Sequence, residues 1–133
     1  MATGVQIPSN SKAMIWVGRV VSALPVAGLL VSGVMKIVQP PDAVKGFEHL
    51  GWPLSVAVGL AVAELGSTIV YAVPQTAVLG AILLTGYLGG AVATHVRIGE
   101  YAEMAPPIII GVLVWLGLYL RDARLRALVP WRK

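Results

Sequence analysis

The chain has 133 residues, 57% of them hydrophobic and 12% charged, with a formal net charge of +4 and no cysteine. So short a chain has too little interior to hide that much apolar surface from water, so the bilayer is its expected solvent and no room remains for a separate soluble domain. The missing cysteines exclude disulfides, thiol redox chemistry, cysteine-ligated iron–sulfur centres and covalently attached haem, and the basic residues sit at helix ends, where anionic headgroups rather than nucleic acid would meet them.

Residues 1–11 are polar, with Gly4, Pro8 and Asn10, and are expected to form a disordered or interfacial tail. A first span follows over about 13–38, with a charge-free core, 20–35, that is slightly short for a crossing. Arg19 and Lys36 can snorkel outward and complete it, and Pro25 removes one backbone hydrogen bond and marks a bend. No small-x-small cleavage site follows the apolar run, so it is expected to be a retained helix, not a signal peptide.

Gln39-Pro40-Pro41 ends that helix, and Asp42 is an N-cap candidate for a short one. Val44, Phe47 and Leu50 recur at helical spacing, with Lys45, Glu48 and His49 elsewhere on the wheel, and Trp52 follows. The pattern predicts an amphipathic helix lying in the headgroup layer. Further spans are expected over about 54–73, 76–96 and 106–121, joined by the tight Pro74-Gln75 connection and a loop from Arg97 to Ala105. Beyond the fourth span lie Arg121, Arg124 and Arg126, with Trp131 as an interfacial anchor. The predicted architecture is an all-α integral membrane four-helix bundle with a short interfacial helix between spans one and two, forming a single transmembrane domain over 1–133.

Four spans put both termini on one side. That side carries Lys12, Arg19, Arg121, Arg124, Arg126, Arg132 and Lys133, and the other carries Lys36, Lys45 and Arg97 with most of the acids. The excess of basic residues predicts that both termini are cytoplasmic. Small residues spaced by four suggest close helix contacts: Gly86 and Gly90, the Ala81, Thr85 and Gly89 row, Ala57 and Ala61, and Gly59 and Ala63. The same faces could dock a protein partner or a second copy of the chain.

Glu64 is the most informative residue. It lies about ten residues into the second span, roughly 15 Å deep and near the bilayer midplane. An ionisable group there costs at least ~2.5 kcal/mol on insertion scales and should face the bundle interior. It either carries a function or serves as a structural carboxyl bonded to a neighbouring helix. Ser22, Leu29, Ser32 and Lys36 share a face of the first span, and Lys36 can either snorkel to the headgroups or turn in toward Glu64. His95, near the outer end of the third span, either joins Lys36 and Glu64 in an acid–base or proton-relay set or bonds to loop backbone. Tyr87 and Thr85 lie mid-span and need hydrogen-bond partners, as does Tyr71, and can line a pocket or act as polar glue between helices. His49 reads as interfacial. No zinc pattern, phosphate loop or hydrolase nucleophile set is visible, and no metal site is expected.

Together Ser32-Gly33-Val34-Met35-Lys36, Ala63-Glu64-Leu65-Gly66, the run from Pro74 to Ala81, the run from Leu84 to Ala91, and Thr94-His95 resemble the DoxX-like family of small four-helix bacterial membrane proteins. The resemblance extends from the first span into the fourth and implies a multi-pass protein of the bacterial inner membrane. Some members of the wider group are membrane subunits of thiosulfate:quinone oxidoreductases or of redox-stress complexes. A quinone headgroup could be held by hydrogen bonds from Glu64, His95, Lys36 or Tyr87, any further cofactor being held by a partner. Three readings follow: a redox-associated subunit binding a quinone or a lipid-like ligand, with Glu64, Lys36, His95, Tyr87, Thr85 and Ser32 as candidate site residues; an accessory or assembly subunit that docks a partner; and a proton-coupled carrier of a small solute. Four short spans with no repeat and no broken helix pair count against a lone carrier.

Overall fold

The computed structural model describes residues 11–132, and the expected tail over 1–10 lies outside them. Among the described residues six helices run in chain order: α1 (Lys12–Val38), α2 (Pro41–Leu50), α3 (Ala57–Ala72), α4 (Ala77–Arg97), α5 (Ala105–Arg121) and α6 (Ala123–Arg126). Short 3-10 turns at Leu54–Val56, Pro74–Thr76 and Tyr101–Met104 lead into α3, α4 and α5, and the described residues contain no strand.

Each boundary has a local cause. The Ser11 side chain accepts from the Met14 amide at 3.1 Å and caps the start of α1. Helix α1 runs unbroken through the buried Pro25 and stops at Gln39, which takes a left-handed conformation (φ 56°) and donates its amide to the Met35 carbonyl. Asp42 was expected to cap α2, but the helix starts two residues earlier than that cap would place it: Pro41 is its first residue, where its fixed φ is already helical and its missing N–H costs nothing. Asp42 instead sits in the first turn, where the helix dipole favours a carboxylate. Gly51 (φ 75°) closes α2, with its amide on Glu48 and that of Trp52 on Phe47. Ala43, Val44, Phe47 and Leu50 form the half-buried face of α2, while Lys45, Glu48 and His49 are exposed. The fourth span was expected to end near 121, and α5 does end at Arg121. The helix breaks at Asp122, whose carboxylate accepts from the Arg124 amide and starts α6. Arg126 then folds back and donates to the Tyr119 and Leu120 carbonyls at 2.7 and 3.3 Å, satisfying groups left free where α5 ends.

The four long helices form a square. Helix α1 packs on α3 and α5, and α4 packs on the same two. The core is small and centred on Tyr71, Leu84, Val114 and Leu118, each no more than 1% exposed. Most of the remaining apolar side chains point outward, including Leu24 and Val31 of α1, Val58, Val62 and Ile69 of α3, Leu79 and Ile82 of α4, and Ile109 and Val112 of α5. In water this surface would be untenable for a 133-residue chain. In hydrocarbon it is the expected exterior. All four helical segments are long and apolar enough to cross a bilayer, and the molecule is a multi-pass membrane protein whose apolar faces contact lipid.

Small residues do set helix approach, but not all those the spacing suggested. Ala57, Ala61 and Ala81 are completely buried. A methyl group on Gly18 would stand 2.9 Å from the Arg121 nitrogen and the Gly117 oxygen, so α1 and α5 touch backbone to backbone there. Gly80 sits against the Tyr71 backbone, and Gly33 receives the Leu65 side chain. By contrast Gly59, Gly86, Gly89 and Gly90 have nothing within 4 Å of where a Cβ would lie. The α4 face that packs is Ala77, Gly80, Ala81, Leu84 and Leu88, which fills space as well as admitting backbone, and Gly86 lies about 200° around the helix from Leu84.

Candidate functional site

Glu64 is fully buried, on the inner face of α3 with Ala57, Ala61, Thr68 and Tyr71. Three donors from two other helices converge on its Oε2 atom: Lys36 Nζ at 2.8 Å, the Tyr87 hydroxyl at 2.7 Å and the Ser32 hydroxyl at 3.3 Å. Lys36 Nζ also donates to Ser32 Oγ at 2.9 Å. Ser32 and Lys36 are one helical turn apart on α1, so both side chains project from one face toward α3. Of the two orientations open to Lys36, the inward one is adopted. Its side chain is 18% exposed against 1% for Glu64, so the pair is shielded from water chiefly on the carboxylate side. Glu64 Oε1 is buried and has no hydrogen-bond partner among the described residues.

Lys36 and Tyr87 also belong to the wall of a half-open cavity of about 440 Å³. Phe47, Leu50 and Trp52 roof it from α2 and the residues just after, Leu60 contributes from α3, and Gly86, Gly90 and Ala91 leave space along α4. The open glycine face of α4 is therefore partly a cavity wall. The cavity combines an apolar lining with a cationic donor and a phenol, both held in place by one buried carboxylate. Such a space suits a ligand with an apolar body and a hydrogen-bonding head.

His95 stands at the rim. It lines this cavity and also a shallower, more polar one of about 780 Å³ formed with His49, Glu100, Tyr101 and Glu103. Its Nδ1 lies 3.5 Å from Glu100 Oε2 and makes no hydrogen bond, while the other Glu100 oxygen contacts His49 Nε2. His95 thus joins neither Lys36 nor Glu64 by a direct hydrogen bond. Eight residues separate it from Tyr87, which at 1.5 Å per residue sets it about 12 Å further along α4. Arg97 donates to the Leu50 carbonyl, so α2 is tied to the end of α4 by polar contacts on its C-terminal side.

Thr85 lies apart from this cluster. Its hydroxyl bonds the Ala81 carbonyl and accepts from the Trp115 indole at 2.7 Å, beside an apolar cavity of about 600 Å³ between α4 and α5. A second polar cluster, not assembled by sequence reasoning, lies nearer the chain ends. The Tyr71 hydroxyl is 3.0 Å from Ser22 Oγ and 2.7 Å from the Val114 carbonyl, and Arg121 Nε donates to Ser22 at 3.1 Å with its guanidinium over the Tyr71 ring. Ser22 was visible in the polar stripe of α1 and Tyr71 as polar glue. The missing signal was Arg121, which reads in sequence as one more basic residue at a helix end. Among the described residues no three His, Asp or Glu side chains gather in a metal-ligand arrangement.

No curated protein and no solved structure matches the chain. The model of the DoxX-like family matches residues 20–117, which takes in α2, α3 and α4 whole and most of α1 and α5, together with Ser32, Lys36, Glu64, Tyr87 and His95. With that match covering well over half of a four-span membrane bundle, the chain belongs to the DoxX-like family.

Proposed function

We propose that this protein binds a quinone or a similarly built lipid-like molecule in the cavity beneath α2, as a redox-associated subunit of the bacterial inner membrane. The observation that carries the reading is the buried Glu64 carboxylate, which bonds Lys36, Tyr87 and Ser32, the first two of them in the wall of a largely apolar space. Lys36 and Tyr87 would meet the polar head of the ligand, and Phe47, Leu50, Trp52 and Leu60 its apolar body. His95 would take part at the rim, where the cavity meets the polar surface. Any electron carrier would be held by a partner protein. The excess of basic residues at the end carrying both termini supports a cytoplasmic location for that end.

The test is ligand content and binding. Protein purified in mild detergent is extracted and its quinones and lipids identified by mass spectrometry, and binding of a short-chain ubiquinone is followed by quenching of tryptophan fluorescence, Trp52 being in the cavity wall. Saturable quenching that weakens at least tenfold in Lys36→Met and Tyr87→Phe supports the reading. Quenching of equal strength in both variants removes the cavity from consideration. A second reading, an accessory subunit docking a partner through α4, is favoured by the open Gly86, Gly89 and Gly90 surface. Bulky substitutions at Gly89 that abolish co-purification of a protein partner and leave ubiquinone binding intact would select it.

A further inference from the structure

Away from the Glu64 cluster, the end of the bundle that carries both termini holds a pocket of about 290 Å³. Every element at that end contributes to it. The first turns of α1 supply Ile15 and Arg19, the α3–α4 turn Pro74, the last turn of α5 Leu118 and Arg121, and α6 Arg124. Three arginines therefore line one small space, with Asp122 among them. Arg124 is compensated by Asp122, 3.5 Å from its Nε. The other two are not. Arg19 only stacks over Trp16, 5.2 Å from the ring centroid, and Arg121 spends Nε on Ser22 and its flat face on Tyr71. Neither has a carboxylate partner among the described residues, and residues 1–10 contain no Asp or Glu.

We infer that this pocket binds the phosphodiester headgroup of an anionic membrane phospholipid. Two uncompensated guanidiniums from different helices offer planar donor pairs that match phosphate oxygens, which ammonium groups would match less well. Arg121 is held in place by Ser22 and Tyr71, so little side-chain freedom is lost when an anion arrives. The floor is apolar, from Ile15, Leu118 and Pro74, and the adjoining α1 surface exposes Trp16 and Val20. A headgroup seated on the arginines would thus lead its acyl chains directly onto lipid-facing apolar side chains. A free phosphate would satisfy the guanidiniums but leave that surface unused. Basic pockets between helices at a membrane face are known to suit such headgroups.

The full chain in neutral detergent is titrated with phosphatidylglycerol or phosphatidylcholine of identical acyl chains, and the midpoint of thermal unfolding is followed by circular dichroism. Phosphatidylglycerol is expected to raise the midpoint saturably and phosphatidylcholine not to. In Arg19→Gln/Arg121→Gln the concentration needed for half the gain should rise about tenfold, since each arginine near a membrane surface contributes a few-fold to anionic-lipid attraction. Lys45→Gln, at the opposite end, should behave as the unaltered protein. Should the double variant fail to fold, Arg19→Gln alone carries the comparison with a smaller shift. Equal gains from the two lipids, or an unchanged phosphatidylglycerol response in the variants, overturn the site. Millimolar inorganic phosphate that reproduces the full gain and abolishes the lipid effect would overturn the lipid as ligand.

Discussion

Lys36→Met tests whether the buried carboxylate is held by charge. In the unaltered protein Lys36 Nζ reaches Glu64 Oε2 at 2.8 Å and Ser32 at 2.9 Å. Removing it leaves Glu64, 1% exposed, with only the Tyr87 and Ser32 hydroxyls. Hydrogen bonds between membrane helices average about 0.6 kcal/mol, so two such donors recover only about 1 kcal/mol. Breaking a buried ion pair by deleting one partner costs about 3–5 kcal/mol. Lys36 is 18% exposed, so solvent reaches its side of the pair and the lower end, about 3 kcal/mol, is expected. Glu64→Gln should be milder, about 1–2 kcal/mol, because the amide oxygen still accepts from Tyr87 and Ser32 while Lys36 is free to snorkel outward. The sign of the double variant is decisive. With no carboxylate left to strand, Lys36→Met/Glu64→Gln should be more stable than Lys36→Met alone by about 2 kcal/mol. Unfolding in mixed micelles of increasing SDS content, followed by circular dichroism, measures all four proteins. A double variant no more stable than Lys36→Met would refute the argument, because it would mean that no uncompensated charge was created.

Three further outcomes follow from other parts of the bundle. Gly18→Ala should destabilise by about 1–3 kcal/mol, since its methyl would stand 2.9 Å from α5 backbone atoms, while Gly86→Ala, with nothing within 4 Å, should be neutral or gain up to about 1 kcal/mol in helix propensity; the same SDS titration compares them. Glu100→Gln should loosen the roof of the cavity, because Glu100 contacts both His49 of α2 and His95 of α4, and hydrogen-exchange mass spectrometry should show faster exchange across Pro41–Leu50 with α3 unchanged. Because the chain has no cysteine, single cysteines report topology cleanly: in intact cells a membrane-impermeant maleimide should label Ala102→Cys and spare Ala127→Cys, and the reverse pattern would invert the proposed orientation.

How much could be read without coordinates differs by residue. The four long apolar helices and the amphipathic α2 follow directly from hydropathy and from the spacing of Val44, Phe47 and Leu50, because solvent preference alone decides them. That Glu64 faces inward follows from the cost of a carboxyl in lipid. Which donors meet it does not, since the rotation of α1 and α4 about their axes is set by packing against neighbours, and Lys36 had two physically acceptable orientations. The distance of His95 from the cluster could have been read from its eight-residue offset from Tyr87. The open glycines show the limit of spacing rules. Gly86 and Gly90 carry the motif, yet the nearly opposite face with Ala81 and Leu84 packs, because a contact needs filled volume as well as close backbone.

Stability alone is a poor reason for the Glu64 cluster to exist. Replacing a buried ion pair with apolar groups of similar volume is often neutral or stabilising, so a bundle selected only for strength would place an apolar side chain at position 64. What the carboxylate does accomplish is geometric. A lysine at the end of α1 would otherwise extend toward the headgroups, where its ammonium is hydrated. Bonded to Glu64 and Ser32, it is drawn back into the wall of the cavity, with its third N–H uncommitted among the described hydrogen bonds. Tyr87 is fixed by the same oxygen. On this account Glu64 acts through its neighbours as a positioning residue, while Lys36 and Tyr87 are the groups a ligand would touch. That division explains why the polar atoms in the cavity wall stand beside the carboxylate and not on it.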